Sequence, residues 1–204
     1  MDGDTPIDPY EVQFTQREAS ELSGVDNLTL NNWLQRGTWK LEKSKDRRLA
    51  NRRLFSIADI AALHAMHHCV KQIDLPPATA AIAALPVYEF MRGPNPTAGL
   101  FSASIVDCRP DNDGNSLEVW HIFKKGGSII GGSTEDWSVQ GVWRDPKSGN
   151  LHQYNPHQYP DEGAWLPHFP CILLPTSKIA LRIFRTCSAY LIEQGDDGGA
   201  RNND

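Results

Sequence analysis

Three observations predict an α+β chain, with a helical N-terminal module and a β-rich C-terminal domain closed by a terminal helix. Up to about Met91 the apolar residues recur at helical spacing. Beyond Gly99 the pattern changes to alternation and β-rich runs, at 100–107, 117–123, 137–143 and 171–175. Near the end, Ile179, Ile183, Phe184, Cys187 and Tyr190 fall on one helical face. RGPNPTAG, at 92–99, gathers glycine and proline as linkers do and sets the boundary. The expected organisation is a disordered 1–12, a helical domain over 13–91, a linker over 92–99, a β-rich effector or assembly domain over 100–194 and a disordered 195–204. Both ends are polar and lack periodicity.

The helical module opens with Thr15-Gln16-Arg17-Glu18, which has the form of a capping box and predicts a helix from Gln16. Ala19 and Leu22 give that helix its apolar face, Gly24 ends it in the left-handed conformation, and Val25 plugs the turn. Asp26 or Asn27 then caps a second short helix with Leu30, Trp33 and Leu34 inward, stopped by Gly37. Two such helices bury too little surface to persist alone. A later helix from Ile57 to Gln72 supplies the third element through Ile60, Leu63 and Val70. Between them, Arg36, Lys40, Lys43, Lys45, Arg47, Arg48, Arg52 and Arg53 stand against only Glu42 and Asp46. The end of this stretch, Arg52-Arg53-Leu54-Phe55-Ser56, alternates like a small β-hairpin wing.

Helix, tight glycine turn, helix is the arrangement in which the second helix enters a DNA major groove with its first turns at the bases. The outward positions on that helix are Asn27, Thr29, Asn31, Asn32 and Gln35, whose short amides and hydroxyls suit base edges and phosphates. Together with Thr15 at the first cap and the cations Arg36, Lys40, Arg47, Arg48, Arg52 and Arg53, they form the candidate DNA-contacting set. The plainer alternative is a polar helix surface followed by a solvated charged loop.

The order of these residues resembles the MerR family of winged helix-turn-helix regulators. The resemblance rests on Ala19-Ser20-Glu21-Leu22-Ser23-Gly24-Val25, Thr29-Leu30, Trp33 and Gly37, then Arg53-Leu54-Phe55-Ser56, Asp59-Ile60 and Leu63. It covers about residues 12–90, including 76–91, where the family has its fourth short helix. It implies a MerR-like winged helix-turn-helix that binds double-stranded DNA, with homodimerisation as a further expectation. Three departures stand out. Asn31 occupies the place where the family usually has Arg after Thr-Leu. The long dimer helix is missing, since Pro86, Pro94 and Pro96 interrupt any such run. The cysteines of the family's metal sensors have no counterpart.

Other chemistry finds little support. The chain has 204 residues, a hydrophobic content of 40% and a formal net charge of −5, enough for a packed core and unlike a protein that coats nucleic acid indiscriminately. No apolar run approaches the roughly 18 residues that span a bilayer, and the acidic start differs from a signal peptide, so no membrane partner and a cytoplasmic location are expected. Cys69, Cys108, Cys171 and Cys187 are widely spaced and read as reduced. His64 and His68 have the four-residue spacing that can share a metal but no third ligand, and no metal site is assigned. His152, His157 and His168 lie among aromatic residues in a Pro-rich stretch that reads as packing. The run 124–133, with its lysines before its glycines, lacks the order of a phosphate loop and reads as a hairpin turn. Cys108 sits beside Arg109 without a base or oxyanion hole, so no enzyme and no cofactor are expected. The sequence names no effector ligand. The leading expectation is a DNA-binding transcriptional regulator; the alternative is a protein-interaction or small-molecule-binding module with a degenerate helix-turn-helix.

Overall fold

The computed structural model describes residues 8–41, 48–49, 52–91, 118–125, 137–144, 151–153 and 172–198. Strand β1 (Phe14–Thr15) leads directly into helix α1 (Gln16–Ser23). The Thr15 hydroxyl accepts the Glu18 amide while Glu18 Oε2 accepts the Thr15 amide at 2.6 Å, so two orphan donors of the first turn are satisfied reciprocally. Gly24 stops the helix with φ +76°, a backbone that favours glycine. Helix α2 (Asn27–Gln35) is capped by Asp26, whose carboxylate accepts the Thr29 amide at 2.9 Å, and Gly37 at φ +67° turns the chain beyond it.

Strands β2 (Arg48–Leu49) and β3 (Arg52–Phe55) pair antiparallel, and β3 also pairs with β1, giving the order β1-β3-β2. Helix α3 (Ile57–Gln72) starts on a second capping box, Ser56 with Asp59, and is buried along nearly all of its first three turns. A turn through Asp74, at φ +57°, leads to helix α4 (Pro77–Phe90). Proline at the first turn suits a helix start, where its missing N–H leaves no bond unmade. Pro86 lies within α4 and is buried, so it does not interrupt this helix.

In the second half the described residues are strands β4 (Glu118–Lys125), β5 (Trp137–Arg144), β6 (Leu151–Gln153) and β7 (Ile172–Leu174), antiparallel in the order β6-β5-β4-β7, and helix α5 (Thr176–Gly198). The expectation of an α+β chain with a β-rich C-terminal domain over 100–194 is overturned. The described residues are mostly helical, and no separate β-rich domain is shown among them. The reason lies in the terminal helix. Ala180, Ile183 and Cys187 of α5, with Leu174, are buried in the same core as Phe14, Leu30, Phe55, Ile60 and Leu63. Helix α5 packs on α3, α4 and α1 as well as on β4, so it contributes to the N-terminal core. Apolar periodicity correctly marks a buried face but does not say what buries it.

The ends also differ from expectation. Disorder over 1–12 does not hold from residue 8 onward: Pro9 accepts a hydrogen bond from the Ala58 amide at 2.9 Å, and the Tyr10 hydroxyl donates to the Tyr88 carbonyl. Tyr10 and Tyr88 meet edge to face with centroids 5.3 Å apart. Helix α5 runs to Gly198, into the tail expected to be disordered from 195. The linker 92–99 and the run 100–107 lie outside the described residues.

Candidate nucleic-acid interface

Three elements meet at one end of the helical core. Pairing of β1 with β3 sets Thr15 opposite Leu54, so Arg53 is the next residue outward on the ladder, beside the start of α1. The start of α1 is joined to the start of α2 by a side-chain bond, Gln16 Nε2 donating to Asn27 Oδ1 at 2.8 Å. The hairpin, the first turn of α1 and the first turn of α2 therefore border one surface.

Leu30 and Trp33 anchor α2 in the core, at 0% and 5% exposure, and Leu34 is partly buried against it. The opposite face carries Asn27, Asn32 and Gln35, all exposed, with Asn31 half-buried and Arg36 exposed at the C-cap. Leu28, at 71% exposure, sits among them. Two of the sequence-derived residues have structural work in addition. Thr15 is the cap of α1. Thr29 is half-buried and bonds Asp26 through both hydroxyl and amide, which holds the Asp26 carboxyl below its ordinary range despite a small opposing cost of burial. An ionised Asp26 at this end also suits the helix dipole.

Among the cations, Arg53 is exposed and faces Arg48 across the β2–β3 ladder, while Arg52 pairs with Leu49. Lys40 lies elsewhere: with Thr38, Ala81, Ile82 and Leu85 it lines an open groove of about 430 Å³ between the turn after α2 and α4. Arg47 lies outside the described residues. Arg17, next to Gln16, is held by Glu21 at 3.0 Å, and this bond and charge raise its pKa.

His64 Nδ1–H donates to the Ser23 carbonyl at 2.9 Å, tying α3 to the last turn of α1, and among the described residues no group of three or more His, Cys, Asp or Glu side chains could hold a metal. Burial lowers the pKa of the neighbouring His67, assisted by the Lys71 charge. Cys69 and Cys187 are buried free thiols, pushed up to about 11 and about 12 by desolvation. Lys124 and Lys125 end β4, which pairs with β5, so the Gly-rich run connects two antiparallel strands. Residues 126–133, Cys108, His157 and His168 lie outside the described residues, as does the side chain of His152. No described helix is long and apolar enough to cross a membrane.

Sequence reasoning passed over Gln16, Leu28 and Trp39. Leu28 was within reach: at 100° per residue it lies about 200° from Leu30, on the outer face. Trp39, buried against Tyr88 with centroids 5.9 Å apart, was hidden by its basic neighbours. The contact of Gln16 with Asn27 is tertiary and leaves no mark in local periodicity. No protein-family model matches the chain, no curated protein is significantly similar to it, and no solved structure matches it.

Proposed function

We propose that this chain is a sequence-specific double-stranded DNA-binding protein, a transcriptional regulator of MerR-like type. Helix α2 enters the major groove and the β2–β3 hairpin grips phosphates. The observation that carries this reading is the common surface bordered by α1, α2 and the hairpin, where an amide-rich helix face lies beside exposed Arg53. Amides read base edges, and guanidinium groups neutralise phosphates without regard to sequence. The protein acts in the cytoplasm as a homodimer on paired half-sites, through a surface other than the apolar stripe of α5, which its own core consumes.

Replacing Arg52 and Arg53 by Ala separates phosphate gripping from base reading. Binding should weaken on all duplexes alike, and the slope of log affinity against log salt should flatten by about 0.9 for each lost phosphate contact. Unchanged slope and affinity would contradict the role of the hairpin. A second reading, docking of a protein partner, is favoured by the apolar groove beside half-exposed Leu85. It requires binding that is insensitive to salt and lost in Leu85→Asp.

A further inference from the structure

Leu28 heads the outer stripe of α2, followed by Asn31, Asn32 and Gln35 at three, four and seven residues, which on a helix share one face. At 71% exposure it is the most exposed of the large apolar side chains described. An isolated leucine on a surface needs no explanation, but this one stands between the groups that the DNA reading assigns to bases. Beside it, Asn27 is already committed through one arm to Gln16. A lone asparagine reads adenine with both arms, accepting from N6 and donating to N7. Here Asn27 keeps its NH2 group and Gln16 keeps its carbonyl oxygen. If both amides are turned over, the remaining pair is again one donor and one acceptor.

We infer that the Gln16–Asn27 amide pair and Leu28 form a single reader of A·T base pairs, with the two amides taking an adenine edge and Leu28 packing on a thymine methyl. One donor beside one acceptor matches adenine N7 and N6. It mismatches the guanine edge, whose N7 and O6 are both acceptors, so adenine is preferred over guanine at that position. In the major groove only thymine presents an apolar group, the C5-methyl, and burying a methyl against leucine gains as much as burying one CH2 group. The inference rests on the proposed DNA reading and extends it to residues and bases.

The test uses the full chain and a duplex enriched from a random pool, in which each thymine in turn is replaced by deoxyuridine, removing only the methyl. One replacement should weaken wild-type binding about three- to five-fold. In Leu28→Ala, an exposed substitution whose unchanged melting temperature confirms folding, the same replacement should have no effect. Gln16→Ala should reduce the preference for adenine over guanine at a neighbouring position. A duplex bound tightly with no sensitivity to methyl removal, or equal sensitivity in Leu28→Ala, overturns the inference and leaves DNA binding standing. Failure to bind any duplex overturns both.

Discussion

Trp33 shows how much of the helical module depends on single side chains. It is buried at 5% exposure, and its carbonyl accepts the Thr38 amide at 2.9 Å, so it holds both the face of α2 and the turn beyond. Trp33→Ala should cost about 3–5 kcal/mol, a large part of what a small domain possesses. Thermal unfolding checks this, and a variant as stable as the parent would contradict the packing. Glu18 carries a different burden, accepting the Thr15 amide and, at 3.0 Å, the Tyr190 hydroxyl of α5. Burial opposes its ionisation, yet these hydrogen bonds prevail and its pKa is lowered. A depressed carboxyl pKa contributes stability that is present above the unfolded value and lost as pH falls through the folded one. Unfolding measured from neutral pH into the acid range should therefore show a loss below the ordinary glutamate range that is smaller in Glu18→Gln. Equal acid sensitivity in both proteins would contradict this role.

At the scale of elements, α1, α2 and α3 were legible because their boundaries are written in local chemistry. Thr15 with Glu18, Gly24, Asp26, Gly37 and the span from Ile57 to Gln72 all follow from caps, stops and period. The destination of α5 was not legible, because a stripe of apolar residues fits any apolar surface of matching shape. Deleting residues from Ser177 onward removes Ala180, Ile183 and Cys187 from the core and should leave an unfolded chain. Circular dichroism decides the point, and a truncated protein that folds would place α5 outside the core. Cys187 gives an independent readout. Burial and a thiol pKa of about 12 should keep it unreactive to alkylation at neutral pH until the protein unfolds, as followed by mass spectrometry. The outer face of α2, proposed to read bases, divides its residues similarly. Replacing Asn31 should alter which base is preferred at about 1–3 kcal/mol per lost base contact, whereas Thr29→Val should first reduce stability through the lost bond to Asp26.

For the whole molecule, a net charge of −5 makes non-specific attraction to DNA weak, so the proposed DNA binding requires affinity from the local cations and from base contacts. The terminal helix braces the start of α1 through Tyr190 and Glu18, next to the surface bordered by α1, α2 and the hairpin. The most direct measurement is the affinity of the full chain for a duplex enriched from a random pool and for its scrambled counterpart, across a range of salt concentrations. If the chain reads DNA by sequence, a recurring motif should be enriched and bound more tightly than the scrambled duplex at every concentration, with both affinities falling steeply as salt rises. No enrichment, or equal affinities that salt does not change, would contradict it.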